Sequence, residues 1–284
     1  MEMLMSDKMI AVIGGDRRFS YLAEELKKDG FNVGIIAGEG EKADIDAVLS
    51  DSFAAVLPFP VSPDGVYLNA PYGGEVRLSY LFEKIKAHGV GAVLGGAVSP
   101  AVTHLAESYG LNICDYGKME TVALKNALCT SEGAIRIALE NLPITLHSSR
   151  VTVLGYGRIG RILAVMLKRL GASVSAVARK SEDIAKMQID GIEAHVFSSL
   201  KEAVCGRDLI FNTVPYPVMT EDVLSVLSGT SLVIDLASAP GGVDRDAARR
   251  LGVNVIWALS LPGKTAPKTA AAIIKEAVLT VLEL

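Results

Sequence analysis

The chain has 284 residues, half of them hydrophobic, and its 28 Lys and Arg against 32 Asp and Glu leave a formal net charge of −4. That length suits two domains with a core each, and the composition suits well-buried parallel sheets rather than disorder. There is no basic surplus to neutralise a phosphate backbone, and no apolar run reaches the ~18 residues that span a bilayer, so neither nucleic acid nor membrane is an expected partner.

The opening MEMLMSDKMI lacks the basic flank and continuous apolar segment of a secretory signal. Met9 to Gly14 reads as a strand, and Tyr21, Leu22 and Leu26 give one apolar face to a helix that stops at Gly30. FNVGIIA, FAAVLP, VGAVLGG and LNICD follow as strands separated by helical patterns, so the first domain, residues 1–129, is expected to be a doubly wound parallel sheet of flavodoxin-like type. Its first turn, Gly14-Gly15-Asp16-Arg17, lacks a third glycine, and Asp16 would repel phosphate. It reads either as a binding loop for something other than a dinucleotide or as plain turn chemistry. The loop Leu57–Tyr72, which contains Ser62, follows the third strand and is either one wall of a ligand cleft or a covering flap. Ser99, after the fourth strand, is placed to cap the next helix.

Thr130 is expected to cap a linking helix, TSEGAIRIALENL, and the second domain, residues 130–265, then opens with VTVLGYGRIG. Here a strand runs into Gly155-x-Gly157-x-x-Gly160, with Arg158 and Ile159 inside the motif, and a helix to Leu170 follows. In that context the spacing predicts a dinucleotide site: Gly155 for the turn, Gly157 for close approach of a pyrophosphate, Gly160 for helix-on-sheet packing. SVSAVA, GIEAHVF, DLIFNTVP, SLVIDLAS and GVNVIWA complete the six strands of a Rossmann fold. At the tip of the second strand stand Arg179, Lys180 and Ser181, with no Asp or Glu. A cation there accepts a 2′-phosphate, so NADP is the expected cofactor. The loops Asn212-Thr213-Val214-Pro215 and Asp235-Leu236-Ala237-Ser238 are expected around the ribose and nicotinamide, which makes hydride transfer the default chemistry. A terminal helix, residues 266–284, starts at Pro267 and is expected to return to the first domain.

None of the four histidines, at 88, 104, 147 and 195, lies after the fourth strand of the nucleotide domain, where a hydroxy-acid dehydrogenase generally keeps its base. Cys114, Cys129 and Cys205 are scattered without metal-ligand spacing, as expected of thiols in a reducing cytoplasm, and no metal is expected.

The chain resembles the A subunit of bacterial dipicolinate synthase over nearly its whole length. The likeness is carried by IAVIGGDRR, Asn126 with Thr130-x-Glu132-Gly133, VLGYGRIG with ARKS, NTVP, IDLASAPGG and LPGKTAPKTA. It departs at Arg17, where the family tends to have a small residue, and at Cys129, where Pro is expected. The resemblance implies oxidation of a dihydrodipicolinate-type ring to pyridine-2,6-dicarboxylate with NADP+, an oligomer, a flavoprotein-like B subunit, and a place in the mother cell during sporulation. For a dicarboxylate, Arg18, Lys268 and the helix starts at Thr130 and Ser99 supply positive character, with Asp16 in the first turn and Ser62 in the loop after the third strand as further substrate candidates. Gly263 is assigned to the cofactor, and Glu132 is the candidate base. Two alternatives stay open: a hydroxy-acid or amino-acid dehydrogenase on the same scaffold, and a non-catalytic NADP-binding scaffold.

Overall fold

Among the described residues of the computed structural model the strands of both sheets pair in parallel, and each sheet is built from strands separated by helices. The structure describes residues 9–40 and 44–284; most of the opening segment read against a secretory signal lies outside them. The chain divides into two compact units, residues 1–126 with 266–284, and residues 127–265.

In the first unit, β1 (Met9–Ile13), β2 (Asn32–Ile36), β3 (Ser52–Val56), β4 (Ala92–Gly95) and β5 (Ile113–Asp115) form a sheet of order β2-β1-β3-β4-β5, the flavodoxin-like arrangement. Alternation along the strands explains the layers. Ala11, Ile13 and Ala55 face a core shared with α2 (Ile45–Ser50), α3 (Leu78–Ala87) and α4 (Pro100–Ser108). Ile10, Val12, Ala54 and Val56 are buried on the other side. There α1 (Arg17–Lys28) brings Phe19, Leu22 and Leu26 and packs against α12 (Pro267–Leu282). Lys275 Nζ, from the middle of α12, donates to Asp29, the C-cap of α1, at 2.7 Å.

The helix expected to start at Thr130 is instead the second half of α5 (Glu120–Asn141), one 22-residue helix that carries the chain from the first unit into the second. Thr130 therefore stands inside a helix and caps nothing. The neighbouring Ser131 hydroxyl bonds back to Ala127 O at 2.8 Å, which lets a hydroxyl sit buried in a helix interior instead of ending it.

In the second unit, β6 (Arg150–Leu154), β7 (Ser173–Ala178), β8 (Glu193–Val196), β9 (Leu209–Asn212), β10 (Leu232–Asp235) and β11 (Asn254–Trp257) are ordered β11-β10-β9-β6-β7-β8, the Rossmann order. One face packs Val151, Val153 and Phe211 on α6 (Arg158–Arg169), the second half of α5 and Leu261. The opposite face packs Leu154, Val177, Ile210 and Val233 on α8 (Leu200–Val204), α9 (Glu221–Leu224) and α10 (Arg245–Leu251). The sheet reverses direction between β6 and β9, and ligands of such sheets sit outside the strand ends at that switch. Among the described residues no helix is long and apolar enough to cross a membrane.

Candidate functional site

The three glycines after β6 are required for three different reasons. Gly155 has φ +90°, open to glycine and strained for other residues. It also leaves room for the Thr213 hydroxyl, which donates to Leu154 O at 2.8 Å and backs the turn. A Cβ on Gly160 would fall well under 3.0 Å from the Gly155 carbonyl oxygen, so the first turn of α6 lies directly on the loop. Gly157, the N-cap of α6, has nothing within 4 Å of where a Cβ would stand. That open approach to the first turn of a helix is what a pyrophosphate requires, and the residues fit a dinucleotide. Arg158 and Ile159 form the first helical turn, Arg158 exposed and Ile159 half-buried against the core.

A cavity of about 540 Å³ adjoins this turn, lined by Gly155, Tyr156, Ala178, Arg179, Lys180, Asp183, Phe197, Val214, Tyr216 and Val218. Its walls are apolar and aromatic, suited to a planar ring, while the exposed Arg179 and Lys180 offer an anion two cations. Ser181 follows them, exposed, as the first residue of α7 (Ser181–Ile189). Tyr156, Asp183, Phe197, Tyr216 and Val218 belong to this wall and were not singled out in the sequence. Tyr156 and Tyr216 stand inside the motifs GYG and NTVPYPV, and only their neighbours were read as ligand-facing.

Tyr156 also ties the turn down. Its hydroxyl donates to Asp190 Oδ2 at 2.9 Å, beside Arg161, whose Nε and Nη2 reach the same carboxylate at 2.8 and 3.2 Å. The Arg161 guanidinium and the Tyr156 hydroxyl hold the Asp190 carboxyl below the usual carboxylate range. Burial, with Asp190 beside it, pushes the Tyr156 phenol up.

Two expected ligand-facing side chains are spent inside the protein instead. Asn212 is fully buried and Asp235 is 2% exposed, and their side chains bond to each other and to the loops that follow them. Both stand at the last position of a strand, where a polar residue meets either ligand or loop, and here they bond to the loop backbone and to each other. Of the remaining loop residues, Val214 lines the cavity, Pro215 and Ser238 are exposed, and Ala237 is buried. Gly263 sits in the short helix α11 (Leu261–Thr265).

In the first unit, Asp16 and Arg18 are each other's partners. Asp16 caps α1 by accepting from Arg18 N, and the Arg18 Nε and Nη2 reach its carboxylate at 2.8 and 2.9 Å. Arg18 Nη2 also donates to Phe59 O at 2.5 Å, and the side chain is 6% exposed. The pair fastens α1 to the loop after β3, which corrects Arg18 as a cation free for substrate and gives the turn-chemistry reading of Asp16. Ser62 is likewise internal: it donates to Tyr67 O and Asp64 and accepts from Gly65 N. Ser99 is the N-cap of α4, accepting from Val102 N at 3.4 Å. Lys268 is exposed in the first turn of α12, and Glu132 is exposed in the interior of α5, not at its start.

A Rossmann unit with an open glycine turn and an adjoining apolar cavity defines a nicotinamide-dinucleotide-binding protein of the dehydrogenase class. Residues 129–228 match the model of the D-isomer specific 2-hydroxyacid dehydrogenase NAD binding domain, and residues 9–117 match that of the N-terminal domain of the dipicolinate synthase A subunit. The dipicolinate synthase A subunit of Bacillus subtilis (strain 168) is 30% identical, the match covering 95% of this chain and 94% of that one. The crystal structure of the dipicolinate synthase A subunit from Bacillus halodurans superposes with a TM-score of 0.89 at 27% identity, covering 99% of both chains. That of its Bacillus subtilis counterpart does so at 0.86 and 28% identity, covering 98% of this chain and 96% of the other. The chain belongs to the family of dipicolinate synthase A subunits.

Proposed function

We propose that this chain oxidises a dihydrodipicolinate-type ring to pyridine-2,6-dicarboxylate with NADP+, acting beside a second synthase subunit. The observation that carries the reading is the bare space at Gly157, facing the start of α6 beside a cavity whose rim carries Arg179 and Lys180. When bound, the dinucleotide supplies the hydride acceptor. The chain's own work is positional: Gly157 admits the pyrophosphate, the first N–H groups of α6 hold it, and Arg179 and Lys180 favour a 2′-phosphate over a bare ribose. Aromatisation drives the reaction, so the protein needs chiefly to orient the ring and accept one proton. Glu132 is the carboxylate proposed to accept it, and Ser99 and Lys268 are the groups proposed to favour the dicarboxylate. The relatives are named as one subunit of a synthase, which supports a partner subunit for this chain as well.

The test is to mix the purified chain, with and without the partner subunit, with dihydrodipicolinate and either NADP+ or NAD+, and to follow the reduced-nicotinamide absorbance. NADP+ is expected to give the faster rate; no rate above the enzyme-free control overturns the reading. Hydroxy-acid oxidation is the second reading, favoured by the dehydrogenase-type match over residues 129–228. No histidine follows His195 in the sequence, so the strand ends β9 to β11 offer no imidazole base, and a panel of 2-hydroxy acids is expected to be inert.

A further inference from the structure

We infer that Asn212 and Asp235 are positioning residues, a buried pair that locks the loop 213–218, which supplies wall of the dinucleotide cavity, to the loop 236–243. The inference rests on the proposed reading of that cavity. The two residues face each other in register at the ends of β9 and β10. Asn212 Nδ2 donates to Asp235 Oδ1 at 2.8 Å and to Val214 O at 3.1 Å, while Asn212 Oδ1 accepts from Val214 N. Asp235 Oδ1 accepts from Ala237 N at 3.1 Å and Oδ2 from Gly242 N at 2.9 Å. Each side chain thus folds its own loop, and the bond between the two side chains joins the loops.

Gly242 is the point where the loops interlock. A Cβ there would meet Asn212 Nδ2 and Val214 O well under 3.0 Å, and its carbonyl accepts from Val218 N and Met219 N at 3.1 and 3.0 Å. Val214, Tyr216 and Val218, from the first loop, are cavity wall. Trp257 closes the second loop from behind, its Nε1 donating to Ala237 O at 3.0 Å. The charged neighbours in this cluster are Asp244, which caps α10 through Ala247 N, and Arg245, stacked 4.2 Å over the Trp257 ring. A carboxylate that is 2% exposed and met by three N–H donors is an arrangement with one stable geometry, because each unmade bond would leave a buried polar group unpaired.

The test uses Asn212→Asp. The substitution sets two carboxylates side by side, a pair that one proton can bridge at low pH and that repels itself once both groups are charged. Trp257 is the single tryptophan of the chain, and its emission reads the second loop without a label. In the full chain without cofactor, the variant's emission is expected to match wild type near ~pH 5.5 and to shift red near ~pH 8.5, where the pair repels itself. The Kd for NADP+ is expected to rise about tenfold or more over the same interval, the change that one pKa unit of coupling supplies. Wild-type emission is expected to stay constant over the interval, and the variant's Kd is read as a ratio to wild type at each pH, because the 2′-phosphate itself titrates at about pH 6. Unshifted emission with wild-type Kd at high pH overturns the inference, and so does a weakened Kd with unshifted emission. Hydrogen exchange of the wild-type apoprotein gives a readout that needs no variant: the Val214, Ala237 and Gly242 amides are expected to be protected, and exchange at free-loop rates overturns the inference. Failure of wild type to bind either dinucleotide removes the proposed function, whereas the emission and exchange readouts judge the loop lock independently.

Discussion

Gly157 and Gly160 stand three residues apart in one motif, and the geometry separates what each does. At Gly157 the N-cap backbone has φ −77° and ψ −158°, extended and open to any residue, and a Cβ there touches nothing. Serine is a good N-cap, so Gly157→Ser is expected to leave the apoprotein unchanged or more stable by a few tenths of a kcal/mol. The same side chain occupies the approach to the α6 N–H groups. Losing charge-assisted bonds to a pyrophosphate costs about 1.5–3 kcal/mol, roughly a 10- to 100-fold rise in the cofactor Kd. Gly160→Ala reverses the pattern. Its methyl group meets the Gly155 carbonyl oxygen, which belongs to backbone and cannot swing aside. Overpacking of that kind costs about 2–3 kcal/mol, and for a unit of this size lowers Tm by roughly 6–10 °C. Thermal unfolding of both variants without cofactor, and dinucleotide titration of Gly157→Ser, supply the two readouts. A destabilised Gly157→Ser, or one that binds dinucleotide as wild type does, refutes the assignment of that open space to a ligand.

Three further outcomes follow from named contacts. Arg179→Ala is expected to weaken NADP+ by about tenfold while leaving NAD+ affinity nearly unchanged, because a lost charged hydrogen bond costs about 1.5 kcal/mol and only one of the two cofactors carries the 2′-phosphate; equal losses for both would refute the rim's role. Arg18→Met is expected to cost about 3 kcal/mol, since it removes the buried partner of Asp16 and the donor to Phe59 O, and an unchanged Tm would make Arg18 a free cation again. Asp190→Asn is expected to cost about 1 kcal/mol at neutral pH by loosening Tyr156 and Arg161. The Asp190 carboxyl is held below its ordinary 3.8, so its contribution is complete above that value and fades as pH falls through the folded pKa. Urea unfolding should therefore show the difference between wild type and Asp190→Asn narrowing below about pH 4.

The parts legible in the sequence were those set by local physics. Alternating β-branched runs, glycine stops and the spacing of Gly155, Gly157 and Gly160 each depend on a few consecutive residues, and both strand orders followed from them. Polar residues at element ends were harder, because a side chain that can serve a ligand can equally serve a neighbouring loop. Arg18 was spent on Asp16, two positions away, and on a carbonyl 41 positions away. Asn212 and Asp235 met across a separation of 23 residues. Thr130-Ser131-Glu132 resembled a helix start, yet hydroxyls that bond back along a helix are compatible with its interior. The aromatic wall of Tyr156, Phe197 and Tyr216 comes from three separate loops and strand ends, a convergence that only the fold displays.

The first unit is interrupted in sequence: α12 belongs to it but is encoded after the whole of residues 127–265. During synthesis the Rossmann unit has all of its strands before α12 emerges, whereas the side of α1 that α12 covers must wait. Lys125 with Glu276 and Lys275 with Asp29 then latch the late helix to residues made far earlier. In chain order the nucleotide unit is therefore complete before the segment that covers one flank of the first unit. α12 is the element that completes the first sheet's covering layer.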